Sequence, residues 1–247
     1  MTARVNACFV CGGKYHDFDF ARSELLKLLL ELPEVRTRVL EDYRDVGALT
    51  AADFLVTYTV DLVPDEAGAA RLRDYVAGGR RWLALHGTNS VLRYVKGKGW
   101  EAPRTSPVFM QTLGSQFVAH PPIAPYRVEV TAPGHPLVAG IEAFDADDEL
   151  YLSELHPPFE TLLATRYAGT APGFAEGEWD DDAPRPVMYV KPVGAGEVLY
   201  LTLGHARGRY DMQPLMREYP HVERGSWKQP AFYELLRRSL RWAARAS

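Results

Sequence analysis

Two imidazoles in this chain stand where a sheet would present them for chemistry. The apolar run Trp82-Leu83-Ala84-Leu85 ends in His86-Gly87, and Val198-Leu199-Tyr200-Leu201-Thr202-Leu203 ends in Gly204-His205. Short apolar runs bounded by glycine read as buried strands, and open α/β sheets bind ligands beyond the carboxyl ends of their strands. An imidazole, with an ordinary pKa of about 6.5, gives and takes protons near neutral pH. Two of them on one pocket wall suit protonation of a leaving oxygen and deprotonation of water or a C–H bond. Glu149 is the carboxylate expected to orient a ring or share the proton traffic, which makes His86, His205 and Glu149 the candidate catalytic set. A divalent metal such as zinc is the alternative use of the same chemistry, with His86, His120 and His205 as ligands, although no HxxxH spacing marks it.

The elements that must position these residues alternate as in a parallel sheet. Val5–Val10 reads as a first strand running into Gly12-Gly13, and Ala21, Leu25, Leu28, Leu29 and Leu32 mark one face of a helix stopped by Pro33. Val39-Leu40 and Phe54–Tyr58 read as further strands. Ala69, Leu72, Tyr75 and Val76 trace a helix closed by Gly78-Gly79 before the strand that ends at His86. The stretch from Val95 to Pro107, with prolines at 121, 122 and 125, reads as a lid or insertion near 95–125 over the sheet edge. Order returns at Tyr126–Val130, Leu150–Leu152 and Thr161–Thr165. A hairpin of Val187–Val190 with Val198–Leu203 follows, and a last helix starts near Pro230.

Around that frame the other polar residues divide. His16 and Asp17 follow the first strand at the same edge and are candidate ligand-binding residues, with an N-cap as the competing use of Asp17. His120 in the lid, Tyr151 and Trp227 complete the candidate binding set. Trp100, Trp179 and Trp227 fall in loop-like sequence, where an aromatic face can meet the C–H face of a sugar ring. His135 reads as structural, and His156 and His221 as surface or turn residues. Cys8 and Cys11 have CxxC spacing, but a strand points residues three apart to opposite faces, so they read as packed free thiols.

At 247 residues, with 47% hydrophobic and 24% charged residues, the chain suits one domain over 1–247 with a single large core. A net charge of -4 with scattered Lys and Arg gives no footprint for nucleic acid or an anionic membrane. The sequence shows no stretch of membrane-spanning length and no leader pattern, so the expected location is cytoplasmic and the expected partner a small molecule. No GxGxxG is present, which argues against hydride transfer by the chain itself.

A family resemblance joins these pieces. Gly12-Gly13 with His16-Asp17, Gly78-Gly79 leading to Leu85-His86-Gly87, Leu113-Gly114 with Phe117 and His120-Pro121, His135-Pro136, Asp148-Glu149-Leu150-Tyr151, Gly196-Glu197-Val198 into Leu203-Gly204-His205, and Trp242-Ala243 appear in one order across nearly the whole chain. In these the chain resembles the ThuA-like, trehalose-utilisation family of the class I glutamine amidotransferase-like superfamily. The segment 206–229, with Arg224-Gly225-Ser226-Trp227, departs from the pattern. The resemblance implies a flavodoxin-like α/β fold, a mostly parallel central sheet with helices on both faces. It also places His86 where an amidotransferase carries its cysteine nucleophile and His205 where the partner histidine stands, so glutaminase chemistry is not expected.

The function this implies is a hydrolase or lyase of carbohydrate metabolism, using strand-end histidines on a trehalose-like disaccharide or a keto-sugar made by a companion sugar dehydrogenase. A non-catalytic carbohydrate-binding or accessory protein is the alternative, and a homo-oligomer is left open. On this reading His86 and His205 converge on one cleft as partly exposed rings, whose truncation leaves the fold's stability nearly unchanged.

Overall fold

The computed structural model describes residues 4–244. Its first half runs β1 (Val5–Gly13), α1 (Phe18–Leu30), β2 (Val35–Leu40), α2 (Val46–Thr50), β3 (Phe54–Val60), α3 (Glu66–Ala77) and β4 (Arg81–Leu85). A 3-10 turn at His86–Asn89 leads to β5 (Arg93–Val95), β6 (Gly99–Glu101), α4 (Pro107–Leu113), β7 (Ser115–Ala119), β8 (Ala124–Val130) and β9 (Phe144–Asp148). Then come β10 (Leu152–Leu155), β11 (Glu160–Arg166), β12 (Gly169–Thr170), β13 (Glu178–Trp179), β14 (Pro184–Val193), β15 (Gly196–Leu201), a second 3-10 turn at Gly225–Lys228 and α5 (Pro230–Ala244).

Nine strands form one sheet in the order β2-β1-β3-β4-β15-β14-β11-β8-β9. The pairings from β2 to β15 are parallel, whereas those from β15 through β14, β11 and β8 to β9 are antiparallel. The sheet is therefore mixed, and the expectation of a mostly parallel one is corrected. The two-residue connection Gly194-Ala195 reverses β14 directly into β15, and a hairpin can only make an antiparallel pair.

Strand alternation sorts the core into two layers. Phe9, Cys11, Val56, Tyr58, Leu83, Leu85, Leu199 and Leu201 face α1 and α5, packing with Leu25, Leu29, Leu235 and Leu236. Cys8, Val10, Leu55, Trp82, Ala84, Val198 and Tyr200 face the other way, against Leu49, Leu72, Val76, Phe109 and Leu113 of α2, α3 and α4. Cys8 and Cys11 thus lie on opposite faces, as period-2 geometry requires, and both are free and buried.

Local sequence sets the helix ends. Asp17 accepts the N–H of Phe20 at the start of α1, and Asp65 accepts that of Gly68 at the start of α3. No helix among the described residues is long and apolar enough to cross a membrane.

Candidate functional site

Four loops at the carboxyl ends of β1, β4 and β15 and after β9 bring the polar residues together. Gly13, at φ 129, bends the chain out of β1 where any Cβ would run into the Val60 carbonyl, and His16 follows in the loop. His86 turns the chain out of β4 with φ 47, a conformation that costs a bulky residue about 1–3 kcal/mol and calls for a firm hold. Its Nδ1 lies 2.8 Å from the Thr202 carbonyl, its backbone carbonyl accepts the Tyr200 hydroxyl, and the Tyr58 ring stacks on it at 5.9 Å.

Asp148 organises the other two loops from the end of β9. Its carboxylate accepts four backbone N–H groups, from Glu149 at 2.8 Å, Gly204 at 2.9 Å, His205 at 3.1 Å and Ser226 at 2.9 Å. A single buried carboxylate therefore sets the backbone of both Glu149 and His205.

The side chains converge in a buried cluster. His16 Nε2 lies 2.9 Å from His86 Nε2 and 3.2 Å from His205 Nδ1. Glu149 reaches His205 Nδ1 at 3.1 Å, His86 Nε2 at 3.5 Å and His16 Nε2 at 3.9 Å. One ligand atom from each of His16, His86, Glu149 and His205 falls within 4.8 Å of the other three. Behind them, Glu223 lies 2.8 Å from His205 Nε2 and 2.8 Å from an Arg207 nitrogen, and Arg207 also approaches Glu149 at 3.5 Å.

Burial and mutual charge set the protonation. Burial, together with the adjacent His86, holds the His16 ring well below the ordinary histidine pKa, and burial likewise lowers His86. Burial alone would raise Glu149, but His205, His120 and His16 outweigh it and hold the carboxyl well below the usual carboxylate range. Burial would lower His205, but Glu149 and Glu223 on its two nitrogens outweigh it and push it up to about 9. The shifts run in opposite senses within the cluster: Glu149 and His205 each favour the other's charged form, whereas burial disfavours charge on His16 and His86.

Above the cluster opens a cleft of about 330 Å³. Its polar lining comes from His16, His120, Glu149 and Arg207, and its walls are aromatic, with Tyr15, Trp100, Phe117, Tyr151, Phe174 and Tyr219. The β5–β6 hairpin supplies Trp100, whose N–H donates to Gly173 O at 2.8 Å and whose carbonyl accepts the Ala175 N–H at 2.8 Å. Gly99, at φ 86, leaves no room for a Cβ against the Gly173 backbone, so this seam depends on glycine.

His86, His205, Glu149 and His16 meet in the cluster, and Tyr151 joins it with its hydroxyl 3.3 Å from His86 Nε2. His86 and His205 are both 0% exposed, so the expectation of partly exposed rings is corrected: they lie behind Glu149 and His16 rather than on the cleft surface. His120 sits at the rim, its Nε2 3.8 Å from Glu149, and the trio of His86, His120 and His205 gives way to His16, His86, Glu149 and His205 as the set with converging donor atoms. Asp17 stands off the cleft, capping α1 and pairing with Arg224 at 2.9 Å. Trp227 is a core residue, its indole N–H donating to Gly204 O and its ring edge-on to Phe232. Trp179 lies under Arg185, which leaves Trp100 as the member of that trio in the cleft.

Sequence reasoning missed Asp148, Arg207 and Glu223. Asp148 sat within a quoted motif, but its partners are backbone N–H groups that no residue type advertises. Arg207 and Glu223 are joined by a short antiparallel bridge across the 206–229 segment, a pairing without a spacing signal.

Comparison with known proteins bears on this arrangement. The fold is shared with a ThuA-like protein from Bacteroides uniformis, 17% identical with a TM-score of 0.67, the alignment covering 98% of this chain and 93% of that one. A ThuA-like protein from Parabacteroides merdae is 18% identical with a TM-score of 0.60, over 98% and 90% of the two chains. A cold-adapted β-galactosidase from Rahnella sp. R3 carries a similar fold in part of its length, at 12% identity and a TM-score of 0.57, over 97% of this chain and 32% of that one. No curated protein matches the sequence. The sequence profile of the trehalose-utilisation family ThuA matches residues 12–225, a span that takes in His16, His86, Glu149 and His205, and the chain accordingly belongs to that family.

Proposed function

We propose that the protein is a hydrolase or lyase acting on a sugar-like substrate, a disaccharide or keto-sugar, with the His–Glu cluster at the floor of the cleft governing the proton transfers. The observation that carries this reading is the placement of Glu149 and His16 in the lining of an aromatic-walled cleft, directly in front of His86 and His205. Aromatic walls suit the C–H faces of a sugar ring, and a few convergent polar groups suit its hydroxyls. His120, at the rim and a quarter exposed in its side chain, is placed to exchange protons with a bound molecule and with solvent. Arg207 would hold a carbonyl or hydroxyl oxygen. A companion sugar dehydrogenase would supply an oxidised substrate, since nothing in the chain's sequence marks a dinucleotide site.

The test is incubation of the full chain with trehalose and with keto-disaccharides prepared by enzymatic oxidation, products being followed by mass spectrometry. Turnover by the parent chain that is lost in Glu149→Gln supports the reading. Saturable binding without turnover across the panel overturns it in favour of a carbohydrate-binding accessory protein.

A further inference from the structure

The buried cluster has an unusual excess of acceptors. His86 directs Nδ1 at the Thr202 carbonyl at 2.8 Å, His16 directs Nδ1 at the Lys14 carbonyl at 3.4 Å, and His205 directs Nε2 at the Glu223 carboxylate at 2.8 Å. Each outer oxygen can only accept, so each outer nitrogen carries a hydrogen; the inner nitrogens of His16 and His86 then turn their lone pairs inward, and that of His205 does so once it gives up the proton it shares with Glu149, as metal ligands must. The Glu149 carboxylate adds a fourth acceptor. His16 Nε2 and His86 Nε2, 2.9 Å apart, have no hydrogen between them in those tautomers, and such an arrangement is repulsive unless a cation draws the lone pairs together.

We propose that His16, His86, His205 and Glu149 form a binding site for one divalent first-row transition-metal ion at the floor of the cleft. The site stands independently of what the cleft binds. A tetrahedral ion with bonds of about 2.0–2.1 Å separates its ligand atoms by about 3.3 Å. Five separations, of 2.9, 3.2, 3.1, 3.5 and 3.9 Å, straddle that value, with Glu149 offering Oε1 to His205 and Oε2 to His86 and His16, and one donor atom from each residue lies within 4.8 Å of the others. Each ring donates its far N–H to a backbone carbonyl or a carboxylate, the outer-shell pattern that fixes a metal-binding histidine's tautomer and aim. Three imidazoles and a carboxylate, with no sulfur, select zinc, iron(II), manganese(II) or cobalt(II) over soft cations. Arg207, a cation beside the cluster, approaches Glu149 at 3.5 Å but is held by Glu223 at 2.8 Å. His16 and Glu149 both border the cleft, so further coordination positions open toward a bound molecule.

The experiment strips the full chain with a chelator, desalts it and titrates it with Zn²⁺ and with Co²⁺. One ion per chain by elemental analysis is expected, with Co²⁺ giving the visible bands of a nitrogen- and oxygen-ligated ion. His16→Gln and Glu149→Gln are each expected to weaken Zn²⁺ binding by tenfold or more. Glu223→Gln, which takes the negative charge from the acceptor at the far nitrogen of His205, is expected to weaken it by about tenfold or more. His135→Gln, at a separate surface hollow, is expected to bind like the parent. Far-UV circular dichroism verifies the fold of each variant, and where a ligand variant fails to fold, the cobalt spectrum of the parent and the Glu223→Gln titration decide. A parent chain that takes up no ion overturns the proposal. So does parent-like affinity in the folded ligand variants, or loss of binding in His135→Gln.

Discussion

Asp148 holds the backbone N–H of His205 at 3.1 Å while its chain neighbour Glu149 holds the His205 ring at 3.1 Å, so two successive carboxylates grip one residue by its main chain and by its side chain. The first sets where the loop after β15 runs, and the second sets the charge of the imidazole it carries. Position and protonation of the same histidine are thus assigned to adjacent residues of a different strand end.

Asp148→Ala should be among the most destabilising single changes. Four backbone N–H groups lose their acceptor at once. Leaving a single buried donor unpaired costs about 1–3 kcal/mol, so a loss of about 3 kcal/mol or more is expected in urea unfolding, even with water entering the space. Asp148→Asn keeps one accepting oxygen and should fall between the two.

His86→Ala should lower stability as well as activity. The ring is fully buried, stacks on Tyr58 and satisfies the Thr202 carbonyl, and its loss leaves that acceptor and a cavity behind. A loss of about 1–3 kcal/mol is expected by denaturant unfolding, measured beside turnover of the identified substrate. An unchanged unfolding midpoint would mean that the space relaxes freely.

Neither cysteine should react with an aromatic disulfide reagent at pH 8 while the chain is folded, and both should react in denaturant. Burial pushes the Cys8 thiol up to about 11 and the Cys11 thiol up to about 12. A raised thiol pKa removes the thiolate, the reactive species, throughout the pH range below it. Two thiols titrated before unfolding would place β1 nearer the surface than it stands.

Glutamine should release no ammonia in the presence of the protein. The residue at the sharp turn after β4 is an imidazole, and both thiols are packed within β1. Ammonia production that disappears in Cys8→Ser or Cys11→Ser would contradict this.

Trp100→Ala should separate binding from folding. The side chain walls the cleft from a two-stranded hairpin outside the main sheet, edge-on to Tyr15 at 5.7 Å. Titration calorimetry with a disaccharide ligand should show affinity about tenfold weaker, about 1.4 kcal/mol, with a smaller change in unfolding free energy than Asp148→Ala.

The parallel half of the sheet was readable because its strands inside the edge strand β2 are buried on both faces and helices α1 and α3 carry a 3.6-residue apolar stripe. β3, for example, is buried at all seven positions. In the antiparallel half the strands at Tyr126–Val130 and Thr161–Thr165 and the hairpin into β15 were readable, whereas β9 and the joining of these strands to one sheet were not. β8 buries one residue, Val128, among seven, and β14 begins with prolines at 184 and 186, which argue against a central strand in sequence although β14 lies between β15 and β11. In the site, the histidines and Glu149 were legible by type and by their place at strand ends. Their depth was not, because whether a strand-end ring faces water depends on loops distant in sequence, here those carrying His16 and Glu149.

The seam between Trp100 and the 173–175 segment gives the molecule two separately written parts. The floor of the cleft is specified by residues 16, 86, 149 and 205, whose positions are fixed by the large sheet, whereas the part of its wall that holds Trp100 and Phe174 is specified by a hairpin and a loop that touch each other and contribute no strand to that sheet. Insertions or exchanges in the wall can therefore remodel which molecule fits without disturbing the groups that would act on it. Selectivity and reactivity are free to change at different rates along one chain.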